Sequence, residues 1–319
     1  MSVSPPSAAT WAGRAAAADD ATTVTATAAA DTAAGGGAVA GDKSAQILLV
    51  AATAQEMAAA IRKLPGAQDI DLSHANQGAL LAVQDTVPPV LPLPVRTLPA
   101  TGGIPAPSGL RLLVCGVGPL AAALTTAGEI ALSRQAGSTR PPLRGIVHVG
   151  LAGSYKHELA PVGSLLLADS ECFPEYGAWP EYDEVLGGEP GSPSPLSFAQ
   201  GVLPGAKAIF GHIGLEPERE LGIMGLTCHS SWRRGALATV SAVSGTPRRA
   251  MRMAGESGAL AEAMEGFAVA LCARAWGLPF AELRAVSNIA GHRPPDTWNF
   301  TAAADALADG LARLCGMHV

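Results

Sequence analysis

From Ile47 to Ala52 the chain reads Ile-Leu-Leu-Val-Ala-Ala, an unbroken apolar run the length of one strand. A strand with one wet face alternates apolar and polar residues. An unbroken run belongs to a strand covered on both faces, as in the middle of an α/β sheet. Further strand candidates are Leu110 to Cys115, Gly145 to Val149, Val162 to Asp169, Ala236 to Val243 and Glu282 to Val286. Helical stretches lie between several of them, which predicts a single α/β domain on a largely buried central sheet. No internal repeat is visible.

Residues 1–44 are a tract of Ala, Thr, Gly and Asp without the bulky side chains of a core, so a disordered tail or a misassigned start is expected there. Asp19, Asp20 and Asp31 interrupt the apolar stretch that a secretory signal needs. The domain is expected to span residues 45–319, with a Pro-rich loop insertion at 84–109 and a loop-rich stretch at 183–216. A formal net charge of −6 gives no basic field for nucleic acid. The five cysteines are scattered and show no paired spacing, which suits a reducing cytoplasm and implies neither structural zinc nor disulfides. No metal-ligand cluster is visible, so no metal and no organic cofactor is implied. No apolar run approaches the roughly 20 residues that span a bilayer.

Some polar residues stand where a bland chain would be apolar. Thr53 and Glu56 fit a capping box on a helix from Ala54 to Leu64. Gly116-Val117-Gly118-Pro119 is a glycine-flanked turn from strand to helix, which lets a ligand approach the backbone. The strand from Gly145 runs into Gly150-Leu151-Ala152-Gly153-Ser154-Tyr155, small residues of the kind found at the ligand-binding edge of open α/β sheets. Arg248, Arg249 and Arg252 on the helix after Pro247 read as a solvated face. Between Ala261 and Asn299 the pattern predicts a buried helix opening with Met264 and Glu265 and a turn at Gly277-Leu278-Pro279. The strand Glu282–Val286 follows, then a polar loop with Ser287, Asn288 and Arg293. Buried acids and amides are costly without partners, so Glu265 and Asn288 need a reason to be there.

Met-Glu-Gly-Phe-Ala at 264–268 ahead of Arg-Ala-Val-Ser-Asn at 284–288, with Glu56, the Gly-x-Ala-Gly of 150–153 and Val240 to Thr246 in that order, resembles the nucleoside phosphorylase and nucleosidase superfamily. Within it the likeness is to the futalosine hydrolases. The resemblance covers most of residues 46–315 and implies a twisted mixed central sheet flanked by helices. It also implies cleavage of the N-glycosidic bond of a purine nucleoside, and commonly a homo-oligomer whose neighbouring subunits line the site.

By that resemblance Glu265 accepts hydrogen bonds from two ribose hydroxyls, with Met264 beneath the sugar; the alternative is a structural pair between Glu265 and an arginine such as Arg284. Glu56 matches the acid that orients and deprotonates water, beside its simpler reading as a cap. Asn288 stands where adenine-specific relatives carry an aspartic acid. An amide cannot transfer that proton, which fits a 6-oxopurine such as the hypoxanthine of futalosine. Ser244, Gly245, Ala152, Gly153 and Phe173 are the remaining expected substrate contacts, with Tyr176 beside Phe173 and Arg293 as partner of an aryl carboxylate. Trp298 could stack on the ring of that aryl group. An acid at Glu56 and an apolar Leu151 argue for water over phosphate, although Ser154 keeps a phosphorylase open. An adenine-releasing nucleosidase and a non-catalytic nucleoside sensor also stay open.

Overall fold

A computed structural model describes residues 42, 44–72, 89–93, 107–177, 199–203, 207–292 and 298–318. The first apolar run is strand β1 (Gln46–Ala51), buried throughout, and Thr53 caps helix α1 (Ala54–Ile61) behind it. Then come β2 (Val90–Pro92), β3 (Gly109–Val114), α2 (Pro119–Arg134), β4 (Leu143–Ser154) and β5 (Leu165–Cys172). Three short strands, β6 (Gly201–Leu203), β7 (Lys207–Ile209) and β8 (His212–Gly214), lead into α3 (Pro217–Met224) and β9 (Arg233–Thr239). The chain closes with α4 (Pro247–Ser257), β10 (Ala261–Ala263), α5 (Gly266–Ala275), β11 (Phe280–Ile289) and α6 (Phe300–Leu314).

Among the described residues the main sheet has nine strands, in the order β10-β9-β5-β11-β4-β1-β3-β2, with β8 added on β5. It is mixed: β1 runs parallel to β3 and β4, and β11 parallel to β4 but antiparallel to β5. The carboxyl ends of β1, β3, β4 and β11 therefore lie along one edge, where open α/β sheets bind ligands. β10 pairs with β4 as well as with β9, so β10, β9, β5, β11 and β4 form a closed circuit.

Side chains alternate across this sheet with a period of two. Leu49, Val147, Val149, Leu283 and Ala285 pack on one face against Met57 of α1 and Leu307 of α6. Val50, Ile146, Phe280 and Val286 face the other way, against Ile130 of α2 and Phe267 of α5. Three register shifts break the rhythm: between Gln46 and Ile47 where β1 meets β4, between Ala168 and Ser170 of β5, and between Val286 and Asn288 of β11. Leu167 belongs to the first core, and an even rhythm would send Glu171 there too. The bulge turns Glu171 toward α5, where its carboxylate meets Gly266.

Several expectations need correction. Ser287 and Asn288 sit on β11 and not in a loop, because β4 offers backbone partners as far as Ile289. Ala261 to Ala263 form β10, and Met264 and Glu265 bend the chain before α5 begins at Gly266. Part of the 84–109 insertion is strand: β2 pairs antiparallel with β3 at the sheet edge, where Pro92 is tolerated. The 183–216 stretch holds β6, β7 and β8 among its described residues. Arg249 is half-buried and paired with Glu175, so the basic helix is not a uniformly solvated face. The expected tail falls outside the described residues except for 42 and 44.

Leu283 is fully buried between the sheet and α6. Leu283→Ala is expected to lower the unfolding free energy in urea by about 2–5 kcal/mol with the slope unchanged.

Candidate active site

The turn from β1 to α1 brings a carboxylate to the sheet edge. Thr53 Oγ1 accepts from the Glu56 N–H at 3.2 Å, and Glu56 Oε2 accepts from the Thr53 N–H and Oγ1–H, each at 3.2 Å. This is a complete capping box. The other oxygen, Oε1, crosses to β4 and accepts from the Leu151 N–H at 2.9 Å. The cap expected from the sequence is thus present, and the same carboxylate also reaches β4. A carboxylate has about four lone-pair directions, and Glu56 has three in use, leaving one.

Glu265 lies between β10 and α5 and is buried. Its Oε1 accepts from the Gly118 N–H at 3.1 Å, and its Oε2 from Arg284 Nη2 at 3.4 Å. Gly118 holds φ at 91°, a backbone conformation that glycine reaches without strain. Two directions on Glu265 remain open.

Arg284, fully buried on β11, joins the acids. Its Nε donates to Glu282 Oε1 at 2.7 Å and its Nη1 approaches the Leu151 carbonyl at 3.4 Å. Nη2 also lies 3.1–3.2 Å from the ring nitrogens of His148, so the guanidinium rests against that imidazole. Gly150 makes the room. A Cβ there would strike Arg284 Nη1 and stand 3.0 Å from Glu56 Oε1. Burial works against the charge of Arg284, but Glu282, Glu265 and Glu56 outweigh it and raise its pKa. Burial likewise works against the charge of Glu282; Arg284 and His148 overcome it and hold the carboxyl down at about 2. Cys115 lies close by, but burial and the Glu265 charge push its thiol up, so it stays protonated and is no nucleophile.

The bulge on β11 sets Asn288 opposite Gly153, and a Cβ on Gly153 would come within 3.2 Å of Asn288 Nδ2. Ser287 Oγ–H donates to Asn288 Oδ1 at 2.8 Å, and Nδ2 donates to the Ile289 carbonyl at 3.2 Å. One lone pair of Oδ1 and one Nδ2–H are thus engaged, which leaves one acceptor direction and one N–H donor on the amide. Phe173 stacks on Phe267 of α5 with centroids 5.7 Å apart, and Met264 is half-buried next to Glu265. Ala152 is buried one residue before Gly153. Ser244 directs both its N–H (2.7 Å) and its Oγ–H (2.6 Å) at Glu262, which also accepts from Tyr155 OH at 2.8 Å, while Gly245 is exposed beside it. Arg293 lies outside the described residues. Trp298 packs on Phe300 and donates to the His292 carbonyl at 3.2 Å.

The sequence reading missed His148, Glu282, Glu171 and the Gly118 N–H, and treated Arg284 only as a structural partner. One signal was available: Glu282 and Arg284 stand two apart in an otherwise apolar strand, hence on one face, as opposite charges.

The sequence pattern of the Phosphorylase superfamily matches residues 108–317. A futalosine hydrolase of Streptomyces coelicolor is 36% identical over 209 residues, 65% of this chain and 79% of its own. That of Thermus thermophilus is 32% identical over 208 residues, 65% of this chain and 81% of its own. The native structure of futalosine hydrolase of Helicobacter pylori superposes with a TM-score of 0.52 at 18% identity, covering 85% of this chain and 97% of that one. An S-adenosylhomocysteine nucleosidase from Streptococcus pyogenes gives 0.52 at 19% identity, covering 87% and 99%. At these identities the two structures share the fold.

Arg284→Met would strand three carboxylates without their cation, and is expected to destabilise the protein by about 3–5 kcal/mol at neutral pH. Without the cation, burial would hold Glu282 at a folded-state pKa above its unfolded one. That cost is full at neutral pH and fades as pH falls toward the carboxylate range. Thermal melts of both proteins from pH 7 to pH 5 should show the gap closing; a constant gap would contradict this assignment of charge.

Proposed function

The chain belongs to the Phosphorylase superfamily, and from that premise we propose that it hydrolyses futalosine to hypoxanthine and dehypoxanthinyl futalosine, in the futalosine route to menaquinone. It is an N-glycosyl hydrolase; the substrate and the residue roles are the proposed part. The observation that carries hydrolysis over phosphorolysis is the position of Glu56. Phosphate would need the backbone N–H of Leu151 and a cation, and the Glu56 carboxylate already occupies that N–H beside Arg284. A second anion there would be repelled, whereas a water can use the lone-pair direction that Glu56 has left.

The steps follow from the open hydrogen-bonding positions. The two free directions on Glu265 match two adjacent ribose hydroxyls, and in this reading Met264 packs beneath the sugar. Cleavage of an N-glycosidic bond builds positive charge on the sugar, which the carboxylates of half-buried Glu56 and buried Glu265 stabilise. The attacking water needs placement more than strong activation, and Glu56 takes its proton as the new bond forms. At the base, Asn288 offers a donor. A 6-oxopurine presents acceptors at both N7 and O6, as guanine does, while adenine replaces one of them with a donor. The free N–H of Asn288 can meet N7 or O6 of hypoxanthine, and its amide has no proton to give an adenine leaving group.

The reading includes a homo-oligomer and a cytoplasmic enzyme. In support of the first, Val117 (58% exposed), Leu120 (86%) and Leu124 (57%) leave an apolar strip at the start of α2, next to Gly118. No helix among the described residues is long and apolar enough to cross a membrane.

Incubation with futalosine, inosine and methylthioadenosine, with and without phosphate, tests the proposal. Hypoxanthine release from futalosine, unchanged by phosphate, is expected; preferred turnover of methylthioadenosine, or dependence on phosphate, would overturn it. Glu56→Gln keeps the size of the side chain but loses the base, so kcat should fall by about 10²–10⁴-fold with KM little changed. Asn288→Asp adds a proton donor for a 6-aminopurine. It should raise kcat/KM for methylthioadenosine relative to futalosine by about 10²-fold.

A further inference from the structure

Beneath Glu265 lies a second carboxylate cluster that the reaction just described does not use. Glu171 and Glu282 are both fully buried, on neighbouring strands β5 and β11. Their side chains converge on Gly266, the first residue of α5. A Cβ at Gly266 would collide with Oε1 of Glu171 and with both carboxylate oxygens of Glu282. Two carboxylates driven together without water repel unless a proton lies between them.

The hydrogen bonds show which oxygens are free. Glu171 Oε2 accepts from Thr239 Oγ1 at 2.8 Å, and that hydroxyl in turn accepts from the Phe267 N–H at 2.7 Å. Glu282 Oε1 accepts from Arg284 Nε at 2.7 Å and lies 3.4 Å from His148 Nδ1. Glu171 Oε1 and Glu282 Oε2 are left, both buried and neither with another partner. Leaving two buried acceptors unmatched is costly, and one proton satisfies both.

We infer that Glu171 is held as a neutral carboxylic acid whose Oε1–H donates to Oε2 of Glu282, and that this acid–carboxylate hydrogen bond positions Arg284 beneath Glu265 and Glu56. The inference rests on the proposed hydrolase reading for its catalytic consequence, but not for the proton itself. The charge balance agrees with it. Arg284 faces the carboxylates of Glu282, Glu265 and Glu56, with His148 alongside, so a fourth negative charge at Glu171 would have no cation of its own among the described residues. Burial first, then the Glu282 charge and the hydrogen bond to Glu282, push Glu171 well above the ordinary carboxylate range, against smaller opposing pulls from Thr239 and Arg284. Glu171 is a positioning residue: it touches no substrate and acts by fixing Glu282, which fixes the guanidinium. Gly266 is then required because any larger residue would wedge the pair apart.

Infrared spectroscopy and kinetics test this independently. Near neutral pH, wild-type protein should show the carbonyl stretch of a protonated, buried carboxyl group, and Glu171→Gln should lack it. Glu171→Ala should lower kcat about 10–100-fold, as loss of an outer-shell orienting group does, and Glu171→Gln, whose amide still donates to Glu282, should recover most of that loss. At alkaline pH the wild-type kcat should fall as Glu171 ionises against Glu282, whereas Glu171→Gln should lack that limb. Absence of a carboxyl band that depends on Glu171 would overturn the shared proton, whatever the substrate. A band with no difference in pH profile or in kcat between the alanine and glutamine variants would overturn the positioning role. Failure of futalosine turnover alone would count against the function, not against the proton.

Discussion

A single buried guanidinium organises the centre of this molecule. Arg284 is fully buried, and it is tolerated there only because carboxylates from three parts of the chain surround it: Glu56 from the first helix, Glu265 from the bend before α5, and Glu282 from its own strand. Removing the ion from water is costly, and the surrounding carboxylates offset that cost only in good geometry. The same demand explains the glycines. Gly150 and Gly266 are where a side chain would strike Arg284 on one side and the Glu171–Glu282 contact on the other. Gly118 supplies a backbone donor that a residue disfavouring positive φ would supply only with strain.

The fold is the means of bringing these groups together. Parallel pairing of β1, β3, β4 and β11 puts Thr53, Gly118, Leu151 and Asn288 near one edge of the sheet, on or just beyond the ends of their strands. Two apolar cores, one on each face, fix the strands so that a deviation of one residue matters. The bulges in β5 and β11 fall where a polar side chain has to leave the even rhythm: Glu171 turns toward α5 and Asn288 toward Gly153. The polar residues of the site are thus presented by rigid strands, with α1 and the β10–α5 bend contributing the two acids proposed to meet water and sugar.

Much of this could be read from the residues alone. The apolar runs at Ile47 and Leu110 marked buried strands because no alternation interrupts them, and the Thr53–Glu56 spacing marked a helix start because capping chemistry is local. The bulges were not legible: an extra residue in one strand changes the pairing without changing the pattern. Hence Ser287 and Asn288 read as loop although they continue β11. β10 is three residues long, too short for periodicity to show. The partners of Arg284 were hidden for another reason. His148, Glu56 and Glu265 lie far from it along the chain and only the order of the strands brings them together, whereas Glu282, two residues away, was within reach of the strand rhythm. Arg293, expected to meet an aryl carboxylate, lies outside the described residues.

The account therefore comes down to where the new oxygen on the sugar originates. If Glu56, steadied by its cap, by Leu151 and by the field of Arg284, holds the nucleophile, then that nucleophile is solvent water. Turnover of futalosine in ¹⁸O-labelled water, followed by mass spectrometry of both products, measures this directly. The account predicts one heavy oxygen on the sugar product and none on hypoxanthine. A sugar product without the label, or one that leaves as a phosphate ester when phosphate is present, would contradict it.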